Sequence, residues 1–396
     1  MQNLWRRLSA LKSDDLMYYC VVLTFFLLPT GTAPPLIAIG LAALVWLVSG
    51  KVCHIKTILR QSWFFPLIPI LVLPWIGLLY SQNTDLGLDY AMKTKYWIAV
   101  FITAGLVLDE NRVYLLLKWF WAGLFLGACL ALLQYTGMMA PIEEKHLGFG
   151  IVHTFISMYL IIGILSVSFY FKRETAWNKK FILLFLMLAF LFHLAVLEGR
   201  SGYLIFGILS PLVANNLMHR FSWKIKITVS ILLICALLLS PVVRKIVNNT
   251  VINLKDQKEK ILSGEDVVQF PRAFILRESI HIFMSHPFIG IGTGSITEPT
   301  KAKGHRVDHP HNNLLYMATS FGIFGIAAYL WFLWKMFKLS WTSRETATGY
   351  FVFSTCSVLF LSGMFDTQIL NTETLLFLSV SYGFLNHLDP DNRKEV

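Results

Sequence analysis

Apolar residues run along this chain in long blocks separated by short polar joints. Blocks of roughly 17–24 residues recur over the whole length, each long enough as a helix to cross a hydrocarbon core of ~30 Å. About twelve spans are predicted on this basis, near residues 17–30, 35–50, 63–80, 97–108, 113–135, 150–171, 181–197, 201–218, 226–243, 314–338, 347–365 and 369–386. The fourth is short and can begin earlier, near Met92. The pattern therefore predicts an all-α polytopic membrane protein in three parts: helices over 1–243, a polar loop over 244–313, and helices with a short tail over 314–396. A loop of about seventy residues is too long for a passive connection. Within it, Asn253 to Ser263 reads as a polar surface helix, and Pro271 to Phe283 as an amphipathic helix opening at Pro, the residue favoured at a first helical position. His286-Pro287 ends that helix. The turn-rich Gly290-Ile291-Gly292-Thr293-Gly294 has no strand-turn-helix around it and is not a dinucleotide fingerprint.

Composition agrees: 56% of residues are hydrophobic, 14% are charged, and the mean hydropathy is +0.60. That excludes a soluble globular chain. The net charge of +11 raises nucleic acid as a partner, but the basic residues sit in short clusters between apolar runs, as topology signals do. With the N-terminus in the cytoplasm, nineteen Lys and Arg fall in cytoplasmic segments against four in the short loops opposite. Both termini are then predicted inside and the long loop outside, which in a Gram-negative cell is the periplasm. Cys20, Cys53, Cys129, Cys235 and Cys356 stand singly and read as free thiols. The first apolar run, behind Arg6, Arg7 and Lys12, has signal-peptide features. A second span follows at once, and Pro34 directly follows the only small-residue candidate, so an uncleaved helix is expected.

Candidate chemistry gathers at the end of the long loop, in Asp308-His309-Pro310-His311-Asn312-Asn313, at the lip of an apolar helix. Imidazoles exchange protons near neutral pH, and Asn is equally at home as a helix cap. Arg200, in the tight turn Glu198-Gly199-Arg200-Ser201-Gly202, lies on the side where basic residues are scarce. It reads either as a side chain paired with Glu198 or snorkelling, or as a phosphate fork. Arg272 sits in a helix's first turn, where the macrodipole disfavours a cation by ~0.3–1 kcal/mol. Arg277 lies about 140° round the same helix, so only one of the two can face a given site squarely. Lys93 and Lys95 read as interfacial anchors beside Tyr96 and Trp97. His153, inside the sixth span, is expected to face the protein interior and line a substrate path. Asp366, at the last outward turn, is placed to orient an imidazole or an Arg. No His/Cys/Asp/Glu cluster with metal spacing appears on this side, and the Asp389-x-Asp391 pair is in the cytoplasmic tail, so neither metal nor cofactor is expected.

His311-Asn312, nine residues, then Gly322-x-x-Gly325 resembles the signature H-[N/S/Q]-x9-G-x-x-G of the O-antigen ligase family. Arg200, Arg272 and His311 in that order on one face extend the resemblance. Arg272 also resembles the family's Arg in its distance to Pro287, the proline after its loop helix. The resemblance implies a GT-C-like membrane glycosyltransferase. It would transfer a glycan from undecaprenyl diphosphate to a sugar hydroxyl of lipid A-core, with inversion and without a metal. His311 would be the base, with His309 as the alternative. Arg200 and Arg272 would hold the diphosphate, with Asn312, Lys93, Lys95, His153 and Asp366 nearby. An O-antigen polymerase would share the site and use another lipid-linked glycan as acceptor. A protein O-oligosaccharyltransferase usually carries an extra C-terminal periplasmic region. A flippase would be expected to place its charges near mid-membrane.

Overall fold

The computed structural model describes residues 13–143, 146–245, 248, 271–304 and 306–390. Among these the protein is helical, with an isolated bridge between Glu143 and His146 and no strand. The surface helix expected at 253–263 lies outside the described residues. The amphipathic loop helix is present as Pro271–Ser285.

Among the described residues, four helices are long and apolar enough to cross a membrane: Glu110–Tyr135, His153–Arg173, Trp177–Val196 and Asn313–Thr342. A fifth crossing is available if Ala33–Val48 and Lys51–Leu59, bent by 92°, act as one. The expected count of about twelve treated every apolar run as one straight helix, and the fold breaks or shortens several of them. The run at 97–108 becomes a 3-10 turn, Lys93–Trp97, leading into the seven-residue helix Ile98–Ala104. The runs at 63–80 and 369–386 contain the helices Leu67–Leu78 and Thr372–Gly383, each 12 residues long. At 1.5 Å per residue a 12-residue helix spans only about 18 Å.

His153–Arg173 is the centre of the bundle. Fifteen of its residues, from Phe155 to Phe169, are buried without a break. A helix apolar on every side belongs in the middle of a structure. It packs against Trp177–Val196, Arg200–Leu217 and Ala347–Ser362. Ser13–Leu27 packs against Ala33–Val48 and Glu110–Tyr135, while Thr372–Gly383 packs against Ile98–Ala104. Where Gly163 meets Leu124 and Phe190, and Gly123 meets the Phe26 carbonyl, no side chain would fit. Close backbone approach of this kind is how helices associate in a membrane, where apolar contact alone gives no driving force.

Asn313–Thr342 is not one straight rod. At Gly322 the backbone takes φ 63° and ψ −146°, a conformation that only glycine adopts cheaply. The segments on either side fold toward each other. Asn313 donates from its carboxamide to the Tyr329 hydroxyl at 2.8 Å, although sixteen residues of straight helix would separate them by about 24 Å. A side chain at Gly325 would run into the Met317 carbonyl, and one at Gly322 into the Phe288 carbonyl. The break frees backbone groups, and the loop meets them: Ile291 N–H donates to the Thr319 carbonyl at 2.8 Å, Gly292 N–H to Ser320 at 3.0 Å, and Ile323 N–H to Pro287 at 2.8 Å. The glycine-rich piece is thus a fitted plug. Thr293 and Ser295 anchor it to the polypeptide at Pro74 and Ser81.

Candidate active site

The break carries the Asn313 end of the helix to the turn 363–370. Asn313 N–H donates to the Gly363 carbonyl at 2.7 Å, and its Oδ1 accepts from Ile369 N–H at 3.2 Å. Asn312 is the N-cap: its Oδ1 accepts from Leu315 N–H at 3.0 Å, and its amide donates to the Met364 carbonyl at 3.1 Å. Both carboxamides therefore hold the fold, and Asn312 also lines the cavity described below.

His311 directly precedes the cap with φ 51°, the one positive φ at a non-glycine residue among those described. This conformation costs an L-residue about 1–2 kcal/mol and persists only where the surroundings enforce it. Here Asn312 N–H donates to Thr367 Oγ1 at 3.1 Å, and His311 Nδ1 lies 3.2 Å from Asp366 Oδ1. His309 stands edge-on to His311, with ring centres 4.3 Å apart, and its Nδ1 is 3.2 Å from Thr367 Oγ1. The consecutive residues Asp366 and Thr367 thus each hold one imidazole.

Burial opposes ionisation of Asp366. The hydrogen bond to His311, the Thr367 N–H and the two imidazoles outweigh it and hold the carboxyl below its ordinary value. Burial, and then the neighbouring His311, push His309 below the ordinary imidazole value. His311 itself is the more open partner, its side chain 46% exposed against 16% for Asp366.

A cavity of about 200 Å³ opens beside this pair, lined by Arg272, Ile275, Leu276, Pro310, His311, Asn312, Leu315, Met364 and Phe365. Of the two loop-helix arginines, Arg272 faces it and Arg277 does not line it. Arg200 opens the helix Arg200–Leu217 and does not line this cavity. The Tyr203 hydroxyl donates to the Leu197 carbonyl and closes the preceding turn. At Gly199 an added Cβ would lie 3.1 Å from His153 Cδ2. The charges acting on His153 are those of His146, Asp366, Glu198 and Arg272. His153 therefore packs against the Arg200 turn, within electrostatic reach of Arg272 and Asp366. Arg200 and Arg272 are exposed, and neither makes a hydrogen bond or ion pair with another described residue.

The two lysines differ. Lys93 donates to the Leu370 carbonyl at 2.8 Å and lies 3.6 Å from the Asp89 carboxylate, so its ammonium braces the turn behind the histidines. Lys95 is exposed over the Tyr96 ring, as an interfacial anchor would be.

One expectation needs correction. Spacing along the chain shows no metal-type cluster near His311, but folding brings Asp366 across 55 residues to the imidazoles. Among the described residues, His309, His311 and Asp366 offer atoms within 4.8 Å of one another, close enough to share an ion. Sequence reading also missed Thr367, whose signal is the polar Asp-Thr pair closing an apolar helix, and Tyr90, whose hydroxyl donates to the Asp308 carbonyl at 3.1 Å.

No curated protein matches this chain. Residues 182–330, which include Arg200, Arg272, both histidines and the two glycines of the helix break, match the family model described as O-Antigen ligase. The match supports the O-antigen ligase/polymerase superfamily, whose members are membrane glycosyltransferase-like enzymes.

Proposed function

We propose that this protein is an O-antigen ligase. It transfers a glycan from undecaprenyl diphosphate to a sugar hydroxyl of lipid A-core at the periplasmic face of the inner membrane. The observation that carries this reading is the sharing of one cavity by Arg272 and His311, with Asp366 on the imidazole's inner nitrogen. A neutral His311 that donates Nδ1–H to Asp366 keeps its Nε2 lone pair for a proton. As the acceptor oxygen bonds to the anomeric carbon, Nε2 takes the hydroxyl proton. The bond from that carbon to the diphosphate oxygen breaks from the opposite side, so the configuration inverts. The leaving diphosphate departs with the electron pair and its negative charge. Arg272, with Arg200 beside His153, supplies fixed positive charge for it, the electrostatic task a metal ion would otherwise perform.

The test is cellular. His311→Ala is expected to leave lipid A-core bare while long lipid-linked chains accumulate, and purified protein should lose transfer by roughly 10²–10⁴-fold with donor binding kept. Core capped with a single repeat unit would replace ligase by polymerase at the same site. Unaltered lipopolysaccharide would refute the site.

A further inference from the structure

His309 is the half-buried neighbour that the reaction above leaves without a task, and its hydrogen bonds define its tautomer. The backbone N–H of His311 donates to His309 Nδ1 at 3.4 Å. A backbone N–H can only donate, so Nδ1 must present its lone pair. Thr367 agrees. Its Oγ1 already accepts from Asn312 N–H, so its single hydroxyl proton is free to point at His309 Nδ1, 3.2 Å away. An imidazole accepting at Nδ1 carries its hydrogen on Nε2. His309 Nε2 makes no hydrogen bond to any described residue, and it is not among the buried atoms left without a partner. It is open to a bound molecule.

Resting on the ligase reading, we infer that His309 and His311 work in opposite tautomers: His311 accepts the proton at Nε2, and His309 donates a neutral Nε2–H hydrogen bond to a substrate oxygen beside it. Burial and the adjacent His311 disfavour a second charge on His309, which keeps it neutral near pH 7. Asp366 and the His311 backbone N–H enforce the division. A carboxylate accepts, and so selects Nδ1–H on His311; a backbone N–H donates, and so selects bare Nδ1 on His309, to which the Thr367 hydroxyl is then free to donate. The oxygen receiving the His309 hydrogen bond belongs either to the donor's diphosphate or to the acceptor sugar.

Substitutions that mimic one ring nitrogen at a time test this. His309→Asn keeps an acceptor near the Nδ1 position, where the fold needs it, but has nothing at Nε2. His309→Gln places an amide N–H near Nε2. With both variants folded by thermal unfolding, the Gln variant should transfer glycan within a few-fold of wild type. The Asn variant should fall roughly 10²-fold, the order lost with a single preorganised donor. A rise confined to the KM of the lipid-linked donor would assign the oxygen to the diphosphate; a rise for lipid A-core would assign it to the acceptor. Selective ¹⁵N-histidine NMR should show His309 protonated at Nε2 and His311 at Nδ1. A fully active Asn variant, or a Gln variant as impaired as His309→Leu, would overturn the proposal. Full transfer by His311→Ala would instead refute the ligase site, whatever the His309 variants do.

Discussion

At the scale of single residues, the site is a set of side chains whose geometry ranks them. On the proposed mechanism, His311→Ala removes the proton acceptor, whereas Asp366→Asn removes only what orients it. The second should therefore reduce transfer less than the first, with donor affinity unchanged in a lipid-binding assay. The arginines act differently. Lys at 200 or 272 keeps the charge but loses the planar fork that matches phosphate. Each Lys variant should lose about tenfold or more in transfer, the order of one charged hydrogen bond, and Ala should be worse. Arg277→Lys, outside the cavity, should be near wild type; the reverse ranking at 272 and 277 would move the clamp to Arg277. If guanidinium groups supply the positive charge, as proposed, transfer by purified protein should survive EDTA. If chelation abolishes activity and Mg²⁺ or Zn²⁺ restores it, the His309–His311–Asp366 group is holding an ion instead.

At the scale of elements, the decisive object is the broken helix. Gly322 makes the bend, and Gly325 lets the two halves touch. Together they bring Asn313 to Tyr329 and to the 363–370 turn, so Asp366 meets His311 only because the helix is broken. Gly322→Ala would put a Cβ against the Phe288 carbonyl in a conformation costing about 1–3 kcal/mol by itself. We expect a lower unfolding temperature in detergent and loss of transfer even with His311 intact. Gly207→Ala, where an added Cβ meets nothing within 4 Å, is the control and should be neutral or slightly stabilising. Equal stability of Gly322→Ala and wild type would show that the bend does not depend on glycine.

At the scale of the whole molecule, orientation is the claim with the widest consequences. In the proposed orientation, which rests on the excess of Lys and Arg on one side, the loop helix, both histidines and Asp366 face the periplasm. A cysteine introduced at exposed Ala302 should react with a membrane-impermeant thiol reagent in intact spheroplasts. One at exposed Glu345, past the far end of the broken helix, should react only after lysis. Cys53 and Cys235 are also exposed and should be replaced first. The opposite labelling pattern would place the site in the cytoplasm, away from lipid A-core, and end the ligase reading.

Apolar runs alone determined that the chain is helical and membrane-bound, because a segment in lipid must satisfy its own backbone. Local signals sufficed for the loop helix at Pro271, for Asn312 as a cap, and for His311, Arg200 and Arg272 as the residues to watch. Hydrophobicity does not tell a straight helix from one that bends, so about twelve runs became four long helices, a bent pair and several shorter pieces. Nor does spacing show partners far apart in the chain. Asp366 lies 55 residues from His311, and Lys93 reaches a carbonyl 277 residues away. The placement of Thr367, His309 and the glycine plug was decided by the tertiary structure. The plug depends on which backbone groups the break at Gly322 leaves unpaired, and Thr367 and His309 on which backbone groups close packing brings to them.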